Sequence, residues 1–231
     1  MSTTFEELDY CHCALGDLVL RRRRPVSKPD LWVYEVKLND HFLMSSLVRT
    51  SEEELARLAL TKIGGRAARV LVGGLGLGYT AAAALAFPDV GQVEIIEFLP
   101  EVIAWHENRL VPLGSALCSD PRCRIVRGDC FERLRSGAAA EFDAVLIDID
   151  DGPEEVINPD HKSFYSVEGL GGVRHCLREG GVFGLWTSRP CNEEFLEDVR
   201  SAFGNGDAEE VHFHNSLLSL DEVNTIYLAL A

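Results

Sequence analysis

The stretch VLVGGLGLGYT, residues 70–80, decides the fold. An apolar run as long as a buried strand passes into a turn that contains Gly74, Gly76 and Gly78, and helix-forming residues follow directly. Glycine lets the backbone turn sharply and lie against a ligand, because no Cβ stands in the way. Glycine turns also serve close packing, so the ligand prediction needs support from the strands that follow.

Strand and helix patterns alternate downstream of this turn. The apolar strand patterns lie at 92–97, 123–129, 144–150 and 181–188, and helical patterns at 79–87, 100–110, 169–181 and 193–204. Alternation of this kind predicts a parallel sheet. Two final strand patterns, at 209–215 and 224–231, are joined by too few residues for a crossover helix and must be antiparallel. We expect an α/β, doubly wound, mostly parallel seven-stranded sheet that ends in an antiparallel hairpin.

The first fifty residues have a different pattern. Apolar and polar residues alternate around a proline-containing turn, which predicts a small β-hairpin or meander over residues 1–50. The four arginines at 21–24 are interpreted as a solvated strand end. A helix with Ser51 as its N-cap then opens the Rossmann-like catalytic domain, predicted over residues 51–231.

Composition restricts the possible partners. The chain has 231 residues, and 46% of them are hydrophobic, which is enough for one core. Its formal net charge of −15 repels nucleic acid and anionic membranes. The same charge favours a cationic substrate. There is no apolar run of about 18 residues, and the first residues are polar and acidic rather than those of a signal peptide. Seven scattered cysteines then indicate reduced thiols, so we expect a cytoplasmic protein.

Metal binding is not expected. The sequence CHC at residues 11–13 is too tightly spaced for a tetrahedral zinc site, and no matching pair of ligands follows it. His212 and His214 lie on one face of a predicted strand, where a surface role is the simpler interpretation.

Acidic residues end the strands that follow the glycine turn. Glu97, Asp129 and Asp148 each lie at the carboxyl end of a predicted strand, the edge where open α/β sheets bind ligands. Glu97 could accept both hydrogen bonds of a ribose diol, and Asp129 could accept one from an adenine amino group. Phe98 and Cys130, which follow them, are grouped with them as cofactor-binding residues. The alternative for any single acid is a helix cap or a solvated loop.

Two cofactors explain the glycine turn and Glu97. NAD and S-adenosylmethionine (SAM) both carry an adenosine, but a nicotinamide enzyme usually needs a second substrate domain, for which this chain has little room. SAM also gives Asp129 and the acids near the reaction centre a natural use. We therefore predict a SAM site.

The residues now carry a family resemblance. The segments at 70–80, 95–110, 120–134, 142–153 and 164–188 resemble bacterial spermidine synthase-like proteins, relatives of the polyamine aminopropyltransferases on the class I methyltransferase fold. With 43–60 added, the resemblance runs from Leu43 to the C-terminus. It implies a transferase that uses SAM or decarboxylated SAM and a small, amine-bearing acceptor.

Three departures from the aminopropyltransferase pattern bear on the reaction. In that family the glycine loop carries an aspartate that helps to hold the amine of decarboxylated SAM, and here the position is Leu77. Gly152 stands where the acidic loop of the family has proline. The Tyr-His-Glu segment that precedes the loop is not matched by the sequence SEEEL at 51–55.

Three aspartates follow the strand at 144–147. Asp148 is expected beneath the sulfonium, with Asp150 and Asp151 on the acceptor side, where a carboxylate can orient a protonated amine and take its proton. The alternative is that Asp150 caps the following turn.

Three aromatic residues are candidate walls of the acceptor site. They are Tyr79 beside the glycine loop, Tyr165 in SFYS and Trp186 at the end of GLW. For each of them, packing in the core is the alternative.

Three hypotheses follow. The first is a SAM-dependent transferase that methylates a small amine, favoured because Leu77 removes the amine-binding carboxylate. The second is a polyamine aminopropyltransferase with decarboxylated SAM, and the third is a non-catalytic nucleotide-binding partner protein. We also expect the protein to self-associate, as a homodimer.

Overall fold

The computed structural model describes residues 4–64, 67–215 and 220–231. Its strands are β1 (Phe5–Cys13), β2 (Gly16–Arg23), β3 (Val33–Leu38), β4 (His41–Ser45), β5 (Ala68–Gly73), β6 (Val90–Glu97), β7 (Cys123–Arg127), β8 (Phe142–Ile147), β9 (Leu177–Thr187), β10 (Asp207–Asn215) and β11 (Leu220–Leu230). Its α-helices are α1 (Thr50–Leu60), α2 (Tyr79–Leu85), α3 (Pro100–Glu107), α4 (Gly114–Ser119), α5 (Cys130–Arg135), α6 (Val167–Cys176) and α7 (Glu193–Phe203), and a 3-10 helix spans Pro159–Tyr165.

Seven strands form the large sheet in the order β10-β11-β9-β8-β5-β6-β7. Strands β7, β6, β5, β8 and β9 are parallel, and β11 pairs antiparallel with both β9 and β10. The predicted doubly wound sheet with a closing antiparallel hairpin is confirmed.

Both faces of this sheet are covered. Along β5, Val70 and Val72 belong to one buried cluster and Leu71 to the other, as the two-residue period of a strand requires. Helices α1, α2 and α3 contribute to the first cluster, and α5, α6 and α7 to the second. The sequence of a strand that is buried on both faces is a continuous apolar run, which explains the run at 70–72.

The four N-terminal strands form a separate antiparallel sheet in the order β1-β2-β3-β4. Its inner residues, Leu18, Leu20, Val36 and Leu38 among them, belong to the same buried cluster as the helices on the first face of the large sheet. The Trp105 indole N–H on α3 also donates to the Asp9 carboxylate on β1 at 2.6 Å. The division of the chain at residue 50 stays a prediction.

The arginine run is not the solvated strand end that was predicted. Arg21 and Arg23 both contact the buried carboxylate of Glu35, at 2.8 and 2.6 Å, and Arg22 pairs with Glu6 at 2.6 Å. The β-pleat puts alternate arginines on opposite faces of β2, and each face meets a glutamate on a neighbouring strand. These arginines are therefore paired within the sheet.

Two local predictions were wrong. Helix α1 begins at Thr50 with Arg49 as its N-cap, so Ser51 lies inside the first turn, where it is fully buried. The helix predicted over 169–181 ends at Cys176, and Leu177 already begins β9.

Candidate active site

The glycine loop follows β5 in a conformation that needs glycine. Gly74, Gly76 and Gly78 have φ values of 92°, 47° and 92°. A Cβ on Gly74 would lie 2.1 Å from the backbone oxygen of Asp148, and one on Gly76 would lie 2.8 Å from the sulfur of Met44. The loop therefore passes close to the end of β8 and to β4, and other side chains would not fit.

Two side chains hold this loop from behind. The buried Glu97 carboxylate accepts hydrogen bonds from the backbone N–H of Leu75 at 2.9 Å and of Leu99 at 2.8 Å. Burial raises the pKa of Glu97, and these backbone donors oppose that rise. His106, which sequence patterns did not single out, donates from Nε2 to the Gly76 carbonyl at 2.9 Å, and burial lowers its pKa. The loop is thus preorganised.

A cavity of about 100 Å³, here called the apolar cavity, lies in front of the loop. Gly74, Gly76, Glu97 and Phe98 line it from the large sheet, and Leu18, Val36 and Leu38 line it from the N-terminal sheet. The N-terminal sheet therefore forms one wall of the cavity. An apolar cavity with a few polar groups in its lining is typical of a small-molecule site.

Asp129 and Cys130 also line the apolar cavity. One Asp129 oxygen accepts hydrogen bonds from the backbone N–H groups of Phe131 at 2.8 Å and Glu132 at 3.1 Å, so this carboxylate caps α5. Its other oxygen lies 3.0 Å from Nε2 of His161. Asp129 therefore has a structural role in the helix as well as its place on the cavity. Cys130 is buried, which raises its pKa.

His161 was not found by sequence reasoning. It lies on the 3-10 helix, lines the apolar cavity and packs edge-on against Phe131 with a centroid distance of 4.7 Å. No spacing in the sequence links it to Asp129, because the two residues are 32 positions apart and meet only through the fold.

A second cavity, of about 550 Å³, lies on the other side of Asp148. We call it the acidic cavity, because its lining contains the five carboxylates of Glu52, Asp148, Asp151, Asp221 and Glu222. Among the described residues that line it there is no lysine, arginine or histidine. The charge of its lining therefore favours a cationic ligand over an anionic one.

Asp148 lines both cavities and is their meeting point. The Thr80 hydroxyl donates to its Oδ2 at 2.6 Å. Burial raises the pKa of Asp148 to about 6, and the Thr80 hydrogen bond opposes that rise. A carboxylate with a raised pKa is a stronger base than an ordinary aspartate and fits a proton acceptor at this point.

Glu52 is an acid that sequence reasoning missed. It stands in the first turn of α1, where acids usually cap the helix dipole, and its sequence SEEEL indicates only a solvated helix start. In the structure its side chain lines the acidic cavity beside Asp148. Burial and the Asp148 charge raise the pKa of Glu52 to about 8.

Only two of the three predicted aromatic wall residues line a cavity. Tyr79 and Trp186 line the acidic cavity, and the Arg49 guanidinium lies over the Tyr79 ring at 5.3 Å. Tyr165 lines neither cavity, because its ring is buried in the second core cluster.

Of the three aspartates after β8, likewise, only two line a cavity. Asp148 and Asp151 line the acidic cavity, but Asp150 lines neither cavity. Its buried carboxylate accepts from the backbone N–H of Ile157 at 2.8 Å and from the Tyr165 hydroxyl at 2.7 Å. The predicted position of Asp150 on the acceptor side is therefore corrected, since residue 150 turns to the opposite side and fixes the following loop.

Fold and cavities together define a class of protein: an α/β domain whose glycine loop and strand ends line an apolar cavity, next to a second cavity lined by carboxylates. Comparison with known families makes this specific. The spermine/spermidine synthase domain family matches residues 49–206, and the chain belongs to this family.

Curated relatives match the central part of the chain. Polyamine aminopropyltransferase 2 of Streptomyces coelicolor is 35% identical over 147 residues, which are 62% of this chain and 26% of that protein. Putrescine N-methyltransferase 3 of Nicotiana tabacum is 26% identical over 142 residues, 58% of this chain and 35% of that protein. The chain thus spans about a quarter to a third of the length of these relatives.

Solved structures share the fold. Spermidine synthase from Thermotoga maritima superposes with a TM-score of 0.76 over 97% of this chain and 72% of that one, at 18% identity. A spermidine synthase in complex with the transition-state analogue AdoDATO gives a TM-score of 0.75 at 19% identity. These likenesses include the N-terminal sheet.

Proposed function

We propose that this chain is a transferase that moves an alkyl group from a SAM-derived sulfonium to a cationic amine. The observation that carries the proposal is the position of Asp148, the one strand-end acid that lines both the apolar cavity and the acidic cavity. Family membership supports it, because curated relatives are named as transferases that act on polyamines or putrescine.

The apolar cavity fits the adenosine part of such a donor. The glycine loop leaves space that a Cβ at Gly74 or Gly76 would fill. The Glu97 carboxylate lines this cavity while backbone N–H groups hold it in place, and Phe98 and Cys130 supply apolar wall. Glu97 would hold the ribose hydroxyls, and Asp129 with His161 would face the adenine edge.

The bound donor would supply an alkyl carbon on a positively charged sulfur that departs as a neutral thioether. The chain's task is to present a neutral amine to that carbon in line. Asp148 would accept the proton of the ammonium group, since its pKa is raised by burial, and Asp151 would orient the amine from the acidic cavity. Tyr79 and Trp186 would pack against the hydrocarbon part of the acceptor.

The charge of the acidic cavity favours aminopropyl transfer. SAM carries a carboxylate that decarboxylated SAM lacks, and five carboxylates without a described cation in the lining would repel it. The aminopropyl ammonium of decarboxylated SAM would be attracted instead.

Methyl transfer remains the second candidate. Leu77, which lines the acidic cavity and is 2% exposed, lacks the carboxylate expected in the loop of an aminopropyltransferase. The putrescine N-methyltransferases among the relatives also support methyl transfer.

An activity assay tests the proposal. The protein is incubated with putrescine and either SAM or decarboxylated SAM, and products are followed by mass spectrometry. We expect an alkylated diamine with one donor, and loss of the product with Asp148→Asn but not with Glu54→Gln, a charge-matched variant outside both cavities. Binding of the donor without transfer to any diamine would favour the non-catalytic partner hypothesis.

Other predictions about the whole protein stay proposals: a homodimer, a cytoplasmic location and no nucleic-acid partner. Among the described residues, no helix is both long enough and apolar enough to cross a membrane.

A further inference from the structure

We infer that Glu52 binds an ammonium group of the ligand in the acidic cavity and is a specificity-determining residue of the site. The inference rests on the proposed function, since it names the residue that recognises the charge of the donor or acceptor. It assigns a role to a residue that the sequence pattern classes as a solvated helix start.

The first reason is position. Helix α1 packs against α2, which follows the glycine loop, and its first turn brings Glu52 to the wall of the acidic cavity. Ser51, fully buried, donates from its hydroxyl to the Glu52 carboxylate at 3.1 Å, and Ser51 Oγ lies 2.7 Å from the Asn224 side-chain amide on β11. The start of the helix is thus anchored to the large sheet, and the carboxylate is held in place.

The second reason is charge. The charged groups that act on Glu52 are Asp148 at the end of β8 and Glu53 on its own helix. Tyr79 on α2 lies close by, with the Arg49 guanidinium over its ring, and Arg49 pairs with Glu53. No ion pair to Glu52 is found within residues 4–64, 67–215 and 220–231. Two facing carboxylates in a partly enclosed space favour a ligand that brings positive charge.

The third reason is the connection between Glu52 and the proposed proton acceptor. The Thr80 hydroxyl lies 3.3 Å from the Glu52 backbone oxygen and donates to Asp148 at 2.6 Å. Glu52 and Asp148 are therefore held in a fixed relation across the cavity. A cation between them is held on one side by Glu52 while Asp148 remains at the boundary with the apolar cavity.

The chemistry of the walls favours an alkylammonium over a metal ion. In the described part of the chain, no three His, Cys, Asp or Glu side chains are arranged to hold a metal. Leu77, Tyr79 and Trp186 line the same cavity as Glu52, and their apolar surfaces suit a short hydrocarbon chain that ends in a charge.

The ammonium could come from two sources, the aminopropyl chain of decarboxylated SAM or the acceptor diamine. One binding experiment and one kinetic experiment distinguish the two sources. Isothermal titration measures the Kd of decarboxylated SAM, and steady-state kinetics measure the KM of putrescine, for the wild type, Glu52→Gln and the control Glu54→Gln. A third ligand, 5′-methylthioadenosine, has the nucleoside but no ammonium.

For Glu52→Gln we expect either the Kd of decarboxylated SAM or the KM of putrescine to rise about 10- to 100-fold, because one charge-assisted contact is lost. Binding of 5′-methylthioadenosine should change less than twofold, and Glu54→Gln should bind all three as the wild type does. Glu52→Asp keeps the charge on a shorter side chain and should give an intermediate loss, which tests the inference should the glutamine variant fail to fold.

The results distinguish a failure of the Glu52 inference from a failure of the proposed function. If 5′-methylthioadenosine binds but Glu52→Gln and Glu52→Asp leave both cationic ligands within twofold of the wild type, the inference on Glu52 is wrong while the proposed function stands. If the wild type binds no 5′-methylthioadenosine, the proposed function itself fails.

Discussion

The apolar cavity and the acidic cavity meet at Asp148 and are built in different ways. Apart from Asn158 and His161 near the 3-10 helix, the apolar cavity takes its sheet-edge groups from consecutive strand ends, at Gly74, Glu97 and Asp129, so their order along the chain already places them at one edge of the sheet. The acidic cavity takes its carboxylates from α1, from the loop after β8 and from β11, segments that are distant in sequence. A site made of strand ends can be predicted from order; one assembled across the fold cannot.

A substitution in the glycine loop should have the largest effect, and it tests whether the loop contacts the ligand or serves only close packing. Gly74→Ala would put a Cβ 2.1 Å from the Asp148 backbone oxygen at a φ of 92°. We expect nucleoside binding to weaken by at least about 100-fold and the free energy of unfolding to fall by about 2 kcal/mol or more. Titration with 5′-methylthioadenosine and denaturant unfolding measure the two.

Gly171→Ala is the control for this variant. A Cβ at Gly171, on helix α6, meets nothing within 4 Å, so alanine should raise stability by about 0.5–1 kcal/mol and leave binding unchanged. Normal nucleoside binding by Gly74→Ala would show that the loop does not contact the ligand.

The second prediction contrasts two acids of one loop. Asp148→Asn should lower kcat by about 10²- to 10⁴-fold, the usual contribution of a general base, with little change in nucleoside binding. Asp150→Asn should leave kcat of the folded protein within a few fold but destabilise it by about 1–3 kcal/mol, since its carboxylate accepts from Ile157 and Tyr165. Equal losses of kcat in both variants would contradict the separation.

This contrast shows what the sequence could predict. The alternation of strand and helix patterns predicted the doubly wound, mostly parallel sheet and its closing antiparallel hairpin, and the glycine loop, Glu97 and Asp129 line one cavity at the sheet edge where they were expected. Asp150 and Tyr165 could not be placed, because the direction of a side chain in an irregular loop depends on its partners, here each other. Glu52 was missed because a helix start looks the same whether its acid faces solvent or a cavity.

The third prediction is a pH dependence of stability. The pKa values of Glu52 and Asp148 are raised to about 8 and about 6, so the folded state holds protons that the unfolded chain has released. Stability should therefore fall as pH rises from about 4 to about 8. Glu52→Gln removes the upper part of this fall, so its melting temperature relative to the wild type should increase between pH 5 and 8. A constant difference would mean that Glu52 is ionised throughout.

The smallest expected effect concerns the aromatic residue outside both cavities. Tyr165→Phe loses the hydrogen bond to Asp150 and should cost about 1–2 kcal/mol of stability, with KM for the diamine unchanged. Trp186→Phe, on the acidic cavity, is the matched comparison and should raise KM. A raised KM for Tyr165→Phe would return this residue to the acceptor site.

We propose that a nucleoside binds in the apolar cavity and a cation in the acidic cavity, with Asp148 between them. Calorimetric titration of the wild-type protein with decarboxylated SAM and, in parallel, with SAM tests this proposal. Decarboxylated SAM should bind at least about tenfold more tightly, a difference of about 1.4 kcal/mol. Tighter binding of SAM would contradict the cation site and favour methyl transfer, and binding of neither donor would contradict the assignment of the apolar cavity to a nucleoside.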